Sequence, residues 1–371
     1  MIAVIGTRGL PDVLGGVERH CEELYARLAA RGFEILVFTR SPYVAGAPRW
    51  STWNGVRLRK VWAPRGKGVE AFWHSFAAVA LARAAGARTV HVHAVGPGLT
   101  VPLARRLGIR TVFTHHGRDY VRDKWGRVAK AVLRAGERAA VQHADQVVAV
   151  SREIAESVRG TFGREAVYAP NGVAVPARSA AQVDATLAGL GLRRGDYVVA
   201  VTRLVPEKGI HDLVEAVAGA DDISMAVIVG EGGHRSTYAE RLKAEAPAKV
   251  RFVGFQPHAV TVDLVRGARA FVLPSYHEGL PIALLEALAC GTPAVASAID
   301  PHREIITDGV HGWLAAPRDV AALRAAVREA WRIEAGDREA LAVRGRALVA
   351  ERFSWEQSAD RVANVYRSLG E

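Results

Sequence analysis

The sequence predicts an α/β protein with two doubly wound domains, each a parallel sheet covered by helices on both faces. Three observations predict this class: the length, the composition, and two successive series of strand-like and helix-like segments. The chain has 371 residues, and at roughly 100–200 residues per domain this is enough for two hydrophobic cores. Half of the residues are hydrophobic and 23% are charged, a balance that excludes a disordered, collagen-like or disulfide-scaffold chain.

The first series of segments occupies residues 1–170. Its strand-like runs are continuous, apolar and rich in β-branched residues, as is typical of parallel strands that are buried on both faces. Helical stretches alternate with these runs, which is the order of a doubly wound domain. The predicted strands are 2–5, 35–38, 90–92, 111–114 and 146–150, and the predicted helices include 17–31, 71–85 and 124–143.

The second series begins at residue 197 and repeats this order. Before it, Pro170, Asn171, Gly172 and a Ser- and Ala-rich stretch up to residue 195 have the composition of a linker or hinge. We therefore place one domain at 1–170 and the other at 171–354. The predicted strands of the second series are 197–201, 225–229, 250–253, 270–273 and 294–296.

The last segment, 355–371, is predicted to be an amphipathic helix. Ser354 can cap its start, and apolar residues such as Val362 and Tyr366 recur at the spacing of one helix face. This face needs a partner, so we expect the helix to return to the first domain and complete it.

Positive charge is concentrated in the first half of the chain. Residues 1–170 hold 26 Lys and Arg against 13 Asp and Glu, and the whole chain carries a net charge of +11. Such asymmetry indicates an anionic partner, either a membrane surface, a phosphorylated substrate or nucleic acid. The sequence shows no zinc-ligand spacing, RNP-like run or helix-turn-helix pattern, so we expect no nucleic-acid partner.

We expect no membrane-spanning or targeting segment. The longest apolar stretch is Ala-rich and stops at Arg83, far short of the roughly 20 residues needed to span a bilayer. Residues 1–6 run straight into a strand and lack the features of a signal peptide. Two thiols, Cys21 and Cys290, suit a reducing compartment. These features predict a cytoplasmic protein.

Two glutamates of the second half lie where a parallel sheet binds ligands. The run 277–297 contains a loop with Glu278, then a helix with Glu286, then a strand. Pro281 suits the first helical position, and Gly291 suits the residue after the helix. Because the loop follows a strand, it lies at the carboxyl edge of the sheet, toward which the positive end of the helix points. Carboxylates at this place suit the vicinal hydroxyls of a sugar.

Two cations lie around one strand-to-helix turn earlier in the same half. Arg203 and Lys208 follow the first strand of the second series, and a helix starts directly after them. Two cations beside a helix N-terminus can hold a diphosphate without a metal ion. The next strand ends in a glycine turn, Gly230-Glu231-Gly232, which lets backbone approach a nucleotide.

Taken in order, these features resemble the donor-binding half of glycosyltransferase family 4, which has the GT-B architecture. The sequence EGLPIALLEALACGTPAVAS carries the two glutamates at the family spacing. PNGV at 170–173 and FSWEQSADRVANVYRSL at 353–369 match what such enzymes carry at the hinge and the C-terminus. The resemblance covers nearly the whole chain and implies two Rossmann-like domains that face a central cleft, the first on the acceptor side and the second binding the donor.

The resemblance also implies roles in catalysis and donor binding. Arg203 and Lys208 hold the donor diphosphate, Glu286 binds the ribose hydroxyls, and Glu278 contacts the transferred sugar. Further residues expected to bind substrate lie in the loops beside them: Gly230, Glu231, Leu280 and Pro281.

In the first half, a glycine pair precedes a predicted helix. Gly15 and Gly16 leave the backbone amides of the helix start open toward the ligand edge of the sheet. Members of the family use this GG-x-E loop beside the donor phosphate and the acceptor. The GTRGLP sequence that opens it is similar to bacterial enzymes that build capsular or exopolysaccharide repeat units.

Histidines follow another strand of this half. In the run THHGRD, His115, His116 and Asp119 are polar groups at the carboxyl edge, where a reacting sugar could lie. In the family a histidine at the end of this strand contacts the donor sugar, and we assign that role to His116, with His115 as the alternative. His91 and His93 alternate with apolar residues, and we expect them to face opposite sides of their strand.

Two basic clusters indicate a membrane partner. Residues 118–138 hold seven cations with apolar residues interleaved at helical spacing, a pattern typical of a basic amphipathic helix on an anionic lipid surface. The segment 57–67 adds a second cluster. We therefore expect a peripheral position on the inner face of the membrane.

The sequence thus predicts a retaining, metal-independent glycosyltransferase that moves a hexose from a UDP- or GDP-sugar to a lipid-linked or saccharide acceptor in bacterial surface-polysaccharide synthesis. No Asp-x-Asp stands in a strand-end loop, and the adjacent Asp221 and Asp222 precede a strand, so we expect no metal or other cofactor. Two alternatives are a nucleotide-sugar epimerase of the same architecture and an inactive sugar-nucleotide-binding partner. A dinucleotide oxidoreductase fits less well, because IGTRGL lacks the GxGxxG spacing.

Overall fold

The computed structural model describes residues 1–13, 15–66, 68–121, 125–232 and 236–371. These residues form two compact units. The first combines Met1–Asn171 with Trp355–Glu371, and the second is Gly172–Ser354. Each unit is an α/β domain built on its own sheet, which confirms the predicted fold class.

The first unit is built on an eight-stranded sheet in the part of the chain that the structure describes. Its strands are β1 (Ile2–Ile5), β2 (Ile35–Arg40), β3 (Trp50–Trp53), β4 (Val56–Val61), β5 (Thr89–His93), β6 (Arg110–His115), β7 (Gln146–Ala149) and β8 (Val167–Tyr168). They are ordered β3-β4-β2-β1-β5-β6-β7-β8, and β3 runs antiparallel to β4 while the other neighbours are parallel. The order reverses between β1 and β5, so the loops after these strands diverge and open a crevice at the carboxyl edge.

Helices cover this sheet and bury its central strands. They are α1 (Gly16–Ala30), α2 (Val69–Ala84), α3 (Val101–Arg106), α4 (Arg127–His143) and α5 (Arg152–Phe162). Strands β1, β2 and β5 are buried at every residue, as expected where both faces are covered. Leu24 and Leu28 of α1 share one core cluster with Val4 and Val37, and burial of each such side chain contributes about 1.5–3 kcal/mol.

The hairpin of β3 and β4 is absent from the sequence prediction. Asn54 and Gly55 form its two-residue turn with φ of 44° and 77°, values that these two residue types adopt most readily. The Asn-Gly pair between two strand-like runs was the signal for it. The hairpin also changes the interpretation of the basic segment 57–67, because Arg57 lies in strand β4; Lys67 lies outside the described residues.

The second unit is built on a six-stranded sheet in which every neighbouring pair is parallel, within the described ranges. Its strands are β9 (Val198–Val201), β10 (Ala226–Val229), β11 (Val250–Gly254), β12 (Ala270–Leu273), β13 (Ala294–Ser297) and β14 (Gly312–Ala315). The order is β11-β10-β9-β12-β13-β14. The reversal lies between β9 and β12, so the loops after these two strands are where a ligand is expected.

The helices of the second unit include one in the predicted linker. They are α6 (Ala180–Gly189), α7 (Ile210–Ala218), α8 (Thr237–Glu245), α9 (His258–Gly267), α10 (Ile282–Ala289), α11 (Asp300–Arg303), α12 (Val320–Arg332) and α13 (Ala335–Arg352). The linker prediction is wrong for α6, because Ser179 and Gln182 form a capping box and Val183 and Leu187 are buried. Strand β14 was missed as well; it begins at Gly312, and a glycine weakens a strand pattern.

The last helix, α14 (Trp355–Ser368), belongs to the first unit and packs against α1. Its inner face buries Trp355, Val362 and Tyr366. At its exposed edge, Glu356 pairs with Arg27 at 2.8 Å and with Arg31 at 2.7 Å. Such exposed pairs contribute at most about 1 kcal/mol, so the apolar face holds the helix in place.

The basic segment 118–138 is not one helix in the described residues. A short 3-10 turn covers Asp119–Val121, and α4 begins at Arg127. Arg122 and Lys124, two of its cations, lie outside the described residues. None of the helices that the structure describes is long and apolar enough to cross a membrane.

Candidate functional site

Two loops of the second unit meet where its strand order reverses. One follows β9 and contains Arg203 and Lys208, and the other follows β12 and contains Glu278. Gly209 allows their close approach, since its φ is +63° and a Cβ there would lie 2.1 Å from the carbonyl oxygen of Pro274. Doubly wound sheets bind ligands at this point, so the loops form a candidate site.

Lys208 and Glu278 make the central contact of this site. Nζ of Lys208 lies 2.6 Å from Oε1 of Glu278, and the same oxygen accepts a hydrogen bond from Oγ of Ser275 at 2.8 Å. Lys208 is only 8% exposed, so each charge depends on the other for compensation. A buried cation suits a phosphate and a carboxylate suits sugar hydroxyls, and the pair offers both at one place.

The surroundings keep Glu278 ionised. Burial raises the pKa of its carboxyl, but Lys208, His302 and the hydrogen bond from Ser275 outweigh burial, and the pKa lies below the ordinary value of 4.5. Burial lowers the pKa of His302 to about 4, so its ring is neutral at neutral pH. Nδ1 of His302 donates to the carbonyl of Ser297 at 2.8 Å.

The glycine turn after β10 lies against the loop after β9. Gly230 has a φ of +125°, and a Cβ there would lie 2.0 Å from the carbonyl oxygen of Thr202. The amide of Leu204 donates to the carbonyl of Glu231 at 3.0 Å, and the Glu231 carboxylate accepts from the amide of Phe255 at 3.4 Å. The structure therefore brings the predicted diphosphate loop and the glycine turn together.

Glu286 makes a different contact from Glu278. It is 7% exposed on α10, and its Oε1 lies 2.7 Å from Nε2 of His258 at the start of α9. Leu280 is buried, and Pro281 directly precedes α10. The two glutamates thus have different partners: Lys208 for Glu278 and His258 for Glu286.

In the first unit, the predicted glycine pair lies at the start of α1, and the Glu18 side chain lies against Gly15. Gly15 has a φ of +148°, and no side chain in the described residues caps this helix end. The loop before it is tied to α1 by two glutamates: Glu18 accepts from the amide of Arg8 at 2.9 Å, and Glu22 accepts from the amide of Asp12. Free amides at a helix start bind anions and hydroxyl groups.

The two histidines after β6 have different surroundings. His115 is 2% exposed; its Nε2 donates to Glu137 at 2.8 Å, and its Nδ1 accepts from the amide of Gly117 at 3.1 Å. His116 is half-buried, and its Nε2 lies 2.8 Å from Nδ1 of His93. Both ring nitrogens of His115 are therefore occupied within the unit.

The prediction that His91 and His93 face opposite sides of β5 is wrong. Their rings stack with centroids 4.4 Å apart, because residues two apart on a strand project from the same face. The Tyr25 hydroxyl bonds to both rings, and Tyr366 of α14 lies 2.5 Å from Nδ1 of His91. A buried polar network thus runs from the last helix to His116.

Comparison with known proteins identifies the family. The model of Glycosyltransferase Family 4 matches residues 14–175, and that of Glycosyl transferases group 1 matches residues 191–348. D-inositol 3-phosphate glycosyltransferase of Mycobacterium tuberculosis is 30% identical over 383 residues, which cover 96% of this chain and 80% of that protein. The chain belongs to glycosyltransferase family 4. It is therefore a hexosyltransferase that takes its sugar from a nucleotide-sugar donor, and this replaces the epimerase and inactive-partner alternatives.

Solved structures agree with this glycosyltransferase assignment. Sucrose-phosphate synthase from Thermosynechococcus elongatus superposes with a TM-score of 0.84 at 26% identity, over 100% of this chain and 98% of that one. HepE from Anabaena, solved with UDP and glucose, gives a TM-score of 0.80 at 20% identity over 99% of both chains. The second likeness concerns the fold, and both confirm the GT-B architecture.

Several polar residues of this glycosyltransferase were missed by sequence reasoning. Ser275 and His302 reach Glu278 from two neighbouring strand ends, β12 and β13, and only the strand order reveals that these ends are adjacent. His20 and Asn171 bond to each other across 151 positions of the chain. No local pattern signals such a contact, although His20 follows the GG-x-E loop by two residues.

Proposed function

We propose that this glycosyltransferase is retaining and metal-independent, takes a hexose from a nucleoside diphosphate sugar, and transfers it to a lipid-linked or saccharide acceptor of a bacterial surface polysaccharide. The observation that carries the proposal is the buried contact of Lys208 with Glu278 at the strand-order reversal of the second unit. A sugar nucleotide presents its diphosphate and its sugar hydroxyls side by side. A cation and a carboxylate that are held together match this order of groups.

Lys208 and Arg203 stabilise the leaving group. As the bond between the anomeric carbon and the phosphate oxygen breaks, negative charge grows on the departing diphosphate. Lys208 is held in place by burial, and Arg203 shares its loop directly after β9. Fixed cations that are aimed at developing charge lower the barrier, because they need no reorganisation during the reaction.

The placement of the acidic pair Asp221 and Asp222 supports a reaction without a metal ion at the diphosphate. Both precede β10, at the amino end of that strand, whereas the donor loops lie at the carboxyl ends. Asp222 also forms ion pairs with Arg328 at 2.8 Å and with Arg332 at 2.7 Å. We expect a chelator to leave the transfer rate unchanged; a loss of activity that Mg²⁺ restores would contradict this part of the proposal.

The pairing of Glu278 supports attack from the same face as the leaving group. A carboxylate that is bound to Lys208 and Ser275 is a poor nucleophile, because its lone pairs are engaged. In the proposed step, the acceptor oxygen bonds to the anomeric carbon as the phosphate oxygen departs. The acceptor's hydroxyl proton passes to that departing oxygen. NMR of the first-formed product should show the anomeric configuration of the donor.

We assign His116 the contact with the transferred sugar. Two observations support His116 over His115: both nitrogens of the His115 ring are engaged, and residue 116 is half-buried whereas His115 is fully buried. The neighbouring glycine loop at Gly15 and Gly16 is assigned to the donor phosphate and the acceptor, since its open amides suit both.

An exposed aromatic patch in the first unit supports docking on a membrane. Trp62 is 65% exposed, Val69 62%, and Phe72 and Trp73 52% each. The rings of Trp62 and Trp73 meet edge to face with centroids 6.1 Å apart. Tryptophan is enriched where proteins meet the membrane interface, because its ring is amphipathic.

Basic residues accompany this patch. Trp125, two residues before α4, lies near Gly68 at the start of α2, so the two helix starts adjoin each other. On α4, Val128 is 79% exposed and lies next to Arg127. Apolar side chains that insert and cations that face anionic lipid suit a peripheral position on the inner membrane face.

The decisive experiment incubates the purified chain with a panel of nucleoside diphosphate hexoses and analyses the products by chromatography and NMR. We expect free nucleoside diphosphate together with a glycosylated acceptor, or slow hydrolysis without an acceptor. The donor that is used should raise the thermal unfolding temperature, since ligand at 100 times its Kd adds about 2.7 kcal/mol of stability. An isomeric nucleotide sugar as the product would contradict transfer.

A further inference from the structure

Three histidines of the first unit converge from three different elements. His20 comes from α1, His93 from the end of β5, and His116 from directly after β6. One ring nitrogen of each lies within 4.8 Å of those of the other two. His20 is 1% exposed and His93 is 0% exposed, while His116 is half-buried.

His20, one of the three clustered histidines, has an unused lone pair. Its Nδ1 lies 2.8 Å from Oδ1 of Asn171, and because that oxygen only accepts, Nδ1 carries the proton. Nε2 of the neutral ring is then a bare acceptor, buried and without a hydrogen-bond partner among the described residues. Buried polar atoms of native proteins are normally satisfied, so an orphan of this kind points to a missing ion, water or ligand.

His93 and His116 share a single proton between their facing nitrogens, which lie 2.8 Å apart. The other nitrogen of His93 bonds to the Tyr25 hydroxyl. The contact of His93 with His116 therefore brings two ring nitrogens into the cluster, and at least one of them is an acceptor.

We infer that His20, His93 and His116 form a binding site for a divalent transition-metal ion such as Zn²⁺. Imidazole is a preferred ligand of Zn²⁺, and three protein nitrogens with an open fourth position form a familiar zinc geometry. Outer partners fix two of the three rings, as is usual for metal-binding histidines: Asn171 bonds to His20 and Tyr25 bonds to His93.

Binding needs small movements of the rings and one proton shift. Zn–N bonds of about 2.0–2.1 Å place tetrahedral ligand nitrogens about 3.4 Å apart. The facing nitrogens of His93 and His116 are 2.8 Å apart and must separate by about half an ångström. Nitrogens of the cluster that are further apart, within its span of 4.8 Å, must approach each other. The shared proton moves to the far nitrogen of whichever ring carries it. On His93 that nitrogen is Nε2, which then donates to the Tyr25 oxygen. No proton is released, and the three ligands remain neutral.

The metal site lies in the first unit, whereas the residues proposed for the diphosphate lie in the second. If His116 contacts the transferred sugar, which rests on the proposed function, then a metal ion that takes its Nε2 competes with that contact. Zn²⁺ is then an inhibitor of transfer rather than a cofactor, and removal of the metal restores the rate.

The test measures metal binding directly. The tag-free, EDTA-treated chain is titrated with Zn²⁺ by calorimetry and with Co²⁺ by visible absorption, where we expect one ion per chain at the cluster and the intense bands of four-coordinate Co²⁺. His20→Gln should abolish this binding. His143→Gln, which changes an exposed histidine at the end of α4, is the matched control and should leave it unchanged.

A second pair of variants tests the outer partner. Asn171→Ala removes the acceptor that orients His20 and should weaken Zn²⁺ binding about 10–100-fold, whereas Asn171→Asp still accepts from Nδ1 and should retain it. Circular dichroism verifies that each variant is folded. Zn²⁺ binding that is absent in the wild type, or equal in the wild type and His20→Gln, overturns the proposal.

Transfer assays separate this inference from the proposed function. Zn²⁺ should inhibit the wild type and not His20→Gln, with recovery on addition of EDTA. Binding at the cluster without inhibition upholds the metal site and contradicts the sugar contact of His116. Loss of transfer in His116→Ala together with no metal binding upholds the sugar contact and overturns the metal site.

Discussion

At the scale of single residues, the fixed charge of Lys208 is what the proposed chemistry depends on most. Lys208→Ala or Arg203→Ala removes a cation that interacts most strongly with the charged leaving group. We expect turnover to fall on the order of 100-fold or more, as for the loss of one such electrostatic donor. Steady-state kinetics measure this, with Lys243→Ala, an exposed lysine of α8, as the control. Wild-type rates in both site variants would contradict the assignment of Lys208 and Arg203 to the donor diphosphate.

Substitution of the two glutamates should have different effects, because each is assigned to a different part of the donor. Glu286→Gln is expected to weaken the binding of free nucleoside diphosphate, because its assigned partner is the ribose. Glu278→Gln should spare that binding and lower transfer, because its assigned partner is the sugar. Calorimetry with the nucleoside diphosphate and transfer kinetics decide between them. Equal weakening of nucleoside diphosphate binding in the two variants contradicts the division of roles.

Protonation of His302 should make the second unit sensitive to mild acid. Its native pKa of about 4 lies below its ordinary value of 6.5, so between these values the unfolded chain binds more protons. The resulting stability is complete above pH 6.5 and is lost as the pH falls toward 4. The groups that face the ring in the described residues include Glu278, Lys208, and the carbonyl and hydroxyl of Ser297.

Urea unfolding at a series of pH values tests this expectation. His302→Asn keeps a donor for Ser297 but cannot titrate, so its free energy of unfolding should fall less between pH 6.5 and 4 than that of the wild type. The difference should be on the order of 3 kcal/mol, at about 1.4 kcal/mol per pH unit. Parallel pH profiles for the wild type and the variant would exclude His302 as the sensitive group.

Sequence reasoning reached the residues of this site unevenly. Lys208 and Glu278 could be placed in strand-end loops, because the strand pattern fixes which loops lie at the carboxyl edge. Their direct contact could not be predicted, since it depends on β9 and β12 being neighbours. The position of His302 beside Glu278 could not be predicted for the same reason. Its helix follows β13, which lies two strands away from β9 in the sheet.

At the scale of elements, buried parallel strands were the easiest to predict. Strands such as β1 and β12 are buried at every residue, so their sequences are continuous apolar runs. Strand β3 alternates between exposed and half-buried residues, and it lacks such a run. Helix α6 lies in a Ser- and Ala-rich stretch whose composition is typical of a linker. Only its cap residues indicate a helix.

The apolar face of α14 should matter far more than its ion pairs. Trp355 is 2% exposed, and its replacement by Ala should cost about 3–5 kcal/mol, as for other buried aromatic residues. Glu356→Ala, one residue further, loses only exposed pairs and should cost at most about 1 kcal/mol. Denaturant unfolding of the two variants makes the comparison. Similar costs would mean that the ion pairs, rather than packing, hold the helix.

At the scale of the whole molecule, the charged and aromatic surfaces of the first unit make distinct predictions for membrane binding. Each basic residue near an anionic surface contributes about 1 kcal/mol, screened beyond a Debye length of about 8 Å at physiological salt. Replacement of Arg127, Lys130 and Arg134 by Glu should abolish binding to anionic vesicles. Trp62→Ser with Trp73→Ser should weaken binding but leave its salt dependence intact.

Sedimentation with vesicles of graded anionic lipid content measures both effects. A triple change of exposed residues of the second unit, Arg194, Lys243 and Arg251 to Glu, is the control for net charge. Equal sedimentation with neutral and anionic vesicles, or unchanged binding in the charge-reversed first-unit variant, would leave the basic surface without a membrane role.

Because α14 belongs to the first unit, that unit cannot be completed on the ribosome until the second unit has been translated. The whole of Gly172–Ser354 is translated between α1 and the helix that covers it. At about 5–20 residues per second, this interval lasts on the order of 10–40 s. The second unit can fold during that time, while the α1 face that receives Trp355 and Tyr366 stays exposed to water. Helix α14, which is translated after the whole second unit, then completes the domain that was begun first.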